Sequence, residues 1–195
     1  MTDTKPKIIM IAGCNGAGKS TLAPHLLRDA FNLKDYVNAD TIAQGLSAFA
    51  PEGAAIEAGK IMLRRLRELA RQEKSFAFET TLASRYYVKF IEELKAQGFK
   101  FHLLFLWLES PELAILRVAE RVSAGGHNVP ETTIRRRYER GLQNFFKLYQ
   151  PIADTWALFD VNVIDKLVLV ASGGNGSETE IFDDNLWQRI CERAE

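Results

Sequence analysis

The chain has 195 residues with 25 basic and 25 acidic side chains, so no net charge draws it to nucleic acid or to an anionic membrane. Its length fits one domain spanning 1–195 with a substantial core. With only Cys14 and Cys191 it is not a disulfide scaffold, no apolar run approaches ~20 residues, and Met1-Thr2-Asp3-Thr4-Lys5-Pro6 lacks the shape of a secretion signal, so a cytoplasmic protein is expected.

Strand and helix signals alternate along the chain, which predicts a three-layer α/β fold: about five mainly parallel strands with helices on both faces. A first strand, Lys7 to Ala12, runs into Gly13-Cys14-Asn15-Gly16-Ala17-Gly18-Lys19-Ser20-Thr21, and a helix leads out to about Arg28. This run satisfies the spacing G-x-x-x-x-G-K-[ST] in the strand-to-helix context that the motif requires. Glycines at 13, 16 and 18 let the backbone turn its N–H groups onto a polyphosphate, with Asn15, Ala17 and Thr21 in the same loop. Lys19 is placed to neutralise the β- and γ-phosphates and Ser20 to hold Mg²⁺, so the expected ligand is a nucleoside triphosphate.

A second strand, Tyr36 to Ala39, ends at Asp40. A carboxylate there either accepts the proton of an attacking hydroxyl or caps a helix starting at Thr41. A helix over 53–74 follows, with Ile56, Gly59, Leu63, Leu66 and Ala70 on one face. The third strand, Ser75 to Phe78, is cut short by Glu79-Thr80-Thr81. Glu79 either binds acceptor hydroxyls or a metal-bound water, or caps a turn. A helix over 84–97 stops at Gly98, and the apolar fourth strand, 101–108, reads as central and covered on both faces. Ser110-Pro111 opens a helix as N-cap and first residue and Gly125-Gly126 ends it, followed by a helix over 131–149. Strands over 156–161 and 167–171, a turn at 173–177 and a helix over 184–193 complete the chain.

Neither an N-K-x-D base-reading motif nor a D-x-x-G switch is present, which argues against a GTPase, and a transporter-type L-S-G-G-Q is also missing. Acidic residues at strand ends, together with Arg117, Arg121, Arg135, Arg136 and Arg137 around Gly125-Gly126, describe a small-molecule kinase with a helical lid over about 117–137. A solvated basic face is the alternative for those arginines. At the level of function, the alternatives are an ATP-driven binding module or switch and a nucleotide-, shikimate- or gluconate-type kinase.

These segments resemble the zeta-toxin family of P-loop kinases. The resemblance rests on the loop 13–21, Val37-Asn38-Ala39-Asp40, Phe76-Ala77-Phe78-Glu79-Thr80-Thr81-Leu82, Arg121-Val122, Gly125-Gly126-His127-Asn128-Val129-Pro130 and Arg136-Arg137-Tyr138, in that order. It implies ATP- and Mg²⁺-dependent phosphorylation of a small acceptor, typically the sugar nucleotide UDP-N-acetylglucosamine, and an antitoxin protein as a partner. Asp40 would be the base, Arg121 and Arg137 (with Arg136 in competition) would grip the nucleotide phosphates, and Glu79 and Thr80 would contact the acceptor. Lys60 stands where the family pattern has arginine, and the chain has no long C-terminal extension.

Overall fold

The sheet is organised around β1 (Lys7–Gly13), in which Ile8 to Ala12 are fully buried. A strand with both faces covered must be apolar at every position, and this one is. The computed structural model describes residues 5–25, 27, 33–47, 51–164 and 166–194. β1 pairs in parallel with β3 (Phe76–Thr80) on one side and β4 (Lys100–Trp107) on the other. β2 (Tyr36–Val37) flanks β3 and β5 (Thr155–Asp160) flanks β4, also in parallel. β6 (Val168–Gly174) and β7 (Ser177–Ile181) continue the sheet antiparallel, giving the order β2-β3-β1-β4-β5-β6-β7.

Among the described residues the sheet has seven strands, β1 to β5 parallel, where about five mainly parallel strands were expected. β7 lies where no strand was expected; it reads Ser-Glu-Thr-Glu-Ile and is exposed at every position. It has no alternating apolar face to show in the sequence and exists because β6 offers it a hydrogen-bonding edge. β2 is shorter than expected, because Asn38 leaves the strand and caps α2 (Ala39–Leu46). β3 is longer, and holds Glu79 and Thr80 within its ladder opposite Ile11 and Ala12.

Two cores flank the sheet. α3 (Ala55–Arg71), α4 (Tyr86–Ala96) and α7 (Asp184–Ala194) cover one face through Met62, Leu66, Ile91 and Ile190. α1 (Lys19–His25) and α5 (Pro111–Ser123) cover the other through Ala23, Ala114 and Val118. The expected end of the first helix, at Arg28, lies outside the described residues. Ser110 caps α5 as expected, its Oγ accepting from Leu113 N at 3.1 Å.

α6 (Glu131–Asn144) belongs to both cores: Ile134 and Tyr138 pack with α5, while Leu142 joins the opposite cluster. It therefore crosses the carboxyl edge of the parallel strands. A π-helical segment, Phe145–Tyr149, extends it and carries Phe145 onto Phe105 and Trp156.

At the opposite edge, Asp154 ties β4 to β5 by accepting from Phe101 N at 2.9 Å and from the ammonium groups of Lys95 and Lys100, each at 3.1 Å. Burial works against its ionisation, but those three donors outweigh it and hold its pKa below the ordinary aspartate value. A depressed carboxylate stabilises the fold above its unfolded pKa of about 3.9 and loses that contribution as pH falls. Asp154→Asn is therefore expected to lower Tm at pH 7, and thermal scans should show the gap from wild type narrowing as pH falls below about 4.

Candidate active site

The loop between β1 and α1 folds as its glycines require. Gly13, Gly16 and Gly18 have φ of 146°, 83° and 75°. At Gly16 a side chain is also sterically impossible, because a Cβ would lie 2.7 Å from Ala114 O of α5. The Lys19 ammonium lies inside the loop and donates to Gly13 O and Cys14 O, both at 2.9 Å.

Opposite Lys19 stands the buried carboxylate of Glu79. It accepts from Ser20 Oγ at 3.0 Å through one oxygen and from Asn38 Nδ2 at 3.1 Å through the other. Burial pushes the Glu79 pKa up and the Lys19 pKa down, and the attraction between the two charges opposes both shifts. Both shifts disfavour the charged form, in a cleft that the two groups line together. Glu79 was expected to bind acceptor hydroxyls or a metal-bound water, or to cap a turn; in the structure it contacts Ser20, the hydroxyl expected to hold a metal. The burial of Cys14 raises its thiol pKa to about 11, so this cysteine is a neutral packing group in the loop.

Asn38 has two jobs. Its Oδ1 accepts from Asp40 N at 2.8 Å and Thr41 N at 3.4 Å, capping α2, while its Nδ2 reaches Glu79. The capping alternative for Asp40 is thereby removed. Asp40 sits in the first turn of α2, one residue inside the helix, and lines the cleft. Asparagine's preference for the N-cap position, just ahead of Ala39-Asp40-Thr41, was the available signal for Asn38.

The arginines separate by environment. Arg137 points inward and donates to Asn15 Oδ1 at 3.2 Å. Arg136 is turned to solvent on the next face, so of the two competitors the structure brings Arg137 to the loop. Arg135 pairs with Glu112 and Glu131 at the surface. Arg121 lines the cleft with Lys19 and Glu79, donates to His127 O at 3.1 Å, and has a buried Nε with no partner. Gly125-Gly126 closes α5 as a left-handed cap: Gly125 N bonds Val122 O and Gly126 N bonds Arg121 O, both at 2.9 Å. Gly126 is also pressed against the Arg121 side chain, where a Cβ would meet Cγ at 2.7 Å. Capping and close packing thus account for this glycine pair.

Three lobes lie in series. A lobe of about 260 Å³ is bounded by the loop, Ser20, Glu79, Arg117 and Arg121. A second, of about 170 Å³, lies between Met62, Thr80, Thr81, Tyr87 and Arg137. Asn15, Lys19, Asp40 and Glu79 line both, so they stand at the junction. A third lobe of about 170 Å³ opens on the far side, between Thr21, Leu22, Arg117, Val161, Val163, Ile164 and Lys166. Arg117 is held there by a 2.7 Å bond to Asn162 O. The apolar residues after β5 carried no motif and were missed. The larger cavity of about 500 Å³ between α2 and α3 contacts neither Lys19 nor Glu79.

Among the described residues no group of three His, Cys, Asp or Glu side chains is arranged to hold a metal ion, and no helix is long and apolar enough to cross a membrane.

A family model described as Zeta toxin matches residues 1–186. An uncharacterized protein of Haemophilus influenzae is 30% identical over 132 residues, covering 68% of this chain and 92% of that one. The solved structure of AvrRxo1-ORF1:-ORF2 with ATP matches with a TM-score of 0.75 at 18% identity, over 96% of this chain and 64% of that chain, so the present chain spans slightly less than two thirds of its length. A structure of the PezAT chromosomal toxin–antitoxin system of Streptococcus pneumoniae matches with a TM-score of 0.67 at 16% identity, over 99% of this chain and 87% of that one. At these identities the structural matches establish the fold.

Because Asn38 is the cap, Asn38→Ala should cost about 1 kcal/mol of stability, whereas Asp40→Asn should leave Tm within a degree or two of wild type. Thermal melts of the two variants check this assignment.

Proposed function

The chain belongs to the zeta-toxin family, whose kinase-fold neighbours support an ATP-dependent kinase, and from that premise we propose that it transfers the γ-phosphate of ATP to a hydroxyl of a small acceptor, a sugar nucleotide such as UDP-N-acetylglucosamine. One observation carries this reading: Lys19, Asp40 and Glu79 stand where the loop lobe meets the lobe of Met62, Thr80, Thr81 and Tyr87. A phosphoryl group bound by the loop would meet an acceptor in the second lobe at that junction. The third lobe then takes the adenine, with the Arg117 guanidinium against its ring and Val161, Val163 and Ile164 beside it.

Phosphoryl transfer asks little covalent chemistry of the protein, so positioning and charge do most of the work. Lys19 leaves the loop carbonyls and turns to the β- and γ-phosphates. Arg121 enters from α5 and Arg137 from α6, so cations approach the transferring group from three sides. Asp40, at the junction, accepts the acceptor's hydroxyl proton as the oxygen attacks. Ser20 and Glu79 would supply the hydroxyl and carboxylate oxygens that suit Mg²⁺, and the ion would add charge neutralisation at the phosphates. Closure of the segment 117–137 over the nucleotide would exclude water, although the core packing of Val118, Ile134 and Tyr138 confines such movement mainly to the connection between the helices. The family and the PezAT match support a protein antitoxin as partner.

A panel of sugar nucleotides, nucleosides and polyols incubated with ATP and Mg²⁺ identifies the acceptor by its dependent ADP release. If no member raises release above the level with ATP alone, the kinase reading fails. Lys19→Ala should abolish transfer in a folded protein. Asp40→Asn should lower kcat by roughly 10²- to 10⁴-fold at unchanged Tm, the range that general-base catalysis supplies.

Arg121→Ala and Arg137→Ala should lower kcat more than they weaken ATP affinity, because cations that meet developing charge act chiefly in the transition state. Arg135→Ala should leave both near wild type. Glu79→Gln keeps the hydrogen-bonding shape but removes the charge, and should raise the Mg²⁺ concentration needed for half-maximal turnover. Steady-state kinetics with magnesium titration measures each of these.

A further inference from the structure

The turn that follows β3 is held under strain. Leu82 is fully buried and adopts φ of 60°, a left-handed conformation that a leucine avoids. Strain of this kind persists only where the surroundings over-determine it, and here they do. On one side Leu82 N donates to Thr80 Oγ1 at 3.0 Å. On the other, the buried Asn144 of α6 donates from Nδ2 to Leu82 O at 2.7 Å.

Two further contacts come from the same helix and its extension. Gly141 is so close to the turn that a Cβ there would lie 2.5 Å from Thr81 O. Tyr149, at the end of the π-helical segment, donates its hydroxyl to Ser84 O. Positions 141, 144 and 149 thus grip residues 81, 82 and 84 in order. The π-helical insertion brings Tyr149 onto this face, and such insertions recur at functional sites.

Arg137, on the same α6, reaches Asn15 of the phosphate loop. About 10 Å of continuous helix separates positions 137 and 144. One rigid element therefore touches the phosphate side of the cleft at one end and the backbone beneath Thr80 and Thr81 at the other.

We propose that α6 is a strut that sets the distance between the transferring phosphate and the acceptor, with Asn144 as a positioning residue that reaches the acceptor only through the strained Thr80–Leu82 turn. This rests on the kinase reading above in assigning the second lobe to the acceptor. A displacement of about 1 Å in such a site is worth on the order of 10²-fold in rate, so a contact that fixes the turn governs catalysis without touching a substrate.

The test uses Asn144→Ala and, independently, Gly141→Ala. In the second variant alanine favours the helix itself while its methyl group pushes on Thr81 O, so a general loss of helix stability is not the outcome. Two measurements are made on the full chain. The first is amide hydrogen exchange, which needs no acceptor. In both variants exchange at residues 80–84 should rise at least tenfold, while the loop 13–20 stays as in wild type.

The second measurement is phosphate transfer to UDP-N-acetylglucosamine. The KM for this acceptor should rise about tenfold and kcat should fall, with the KM for MgATP unchanged; a residue that only stabilises the fold would move Tm and none of these. Wild-type exchange at 80–84, or a rise spread equally over the phosphate loop, overturns the strut. So do unchanged acceptor KM and kcat in variants whose turn has loosened. Should the wild-type protein transfer nothing to this acceptor or to any other in the panel, the kinase reading falls, and exchange alone decides whether α6 braces the turn.

Discussion

An ammonium and a carboxylate partly withdrawn from water at one cleft are the constraint on which the rest of the structure depends. Neither Lys19 nor Glu79 is comfortable alone there, since burial disfavours the charged form of both. Together they are tolerated, and the cost of burying them is further offset by the hydroxyl of Ser20 and the amide of Asn38. That arrangement requires β1 and β3 to lie side by side, so that the loop after β1 and the end of β3 come to one point. The order β2-β3-β1-β4-β5 provides it, and places the site outside the carboxyl ends of the parallel strands, where open α/β sheets bind ligands.

The same pairing explains why so little else is needed at the junction. Glycine backbone provides the cradle, a cap residue of α2 provides the link to Glu79, and Asp40 is held at the mouth by its position in a helix rather than by a side-chain contact. Asn38 joins local and long-range structure: one end of its amide satisfies the orphan N–H groups of a helix, the other a buried carboxylate 41 residues away.

α6 has the corresponding role on the far side. By leaving one core and entering the other it roofs the strand ends, and Arg137 becomes a cleft residue while its apolar side chains remain anchored. Arg135, Arg136 and Arg137 illustrate the consequence: three consecutive arginines meet, respectively, two surface carboxylates, solvent, and the phosphate loop. Rotation of about 100° per residue is enough to give identical side chains different work.

The local features were legible in the sequence because they follow from local chemistry. The loop from Gly13 to Thr21 declares itself by spacing, and its glycines adopt the positive φ that their missing side chains permit. The parallel core strands show as apolar runs, and Ser110-Pro111 marks the start of α5 because a cap is a short-range hydrogen bond. What the sequence left open depended on partners distant in the chain. β7 has no apolar alternation, so only the free edge of β6 makes it a strand. The cap of α2 was a local matter, decided by Asn38 beside Ala39-Asp40, whereas the neighbour of Glu79 turned on the register between β1 and β3. The left-handed Leu82 was invisible for the same reason, since a leucine takes that conformation only when contacts such as those of Gly141 and Asn144, about sixty residues further on, hold it there. The sequence by itself determined the glycine-rich loop between β1 and α1; the tertiary structure decided which charges share the cleft with it, because that depends on strand order and helix crossing, and no residue encodes those alone.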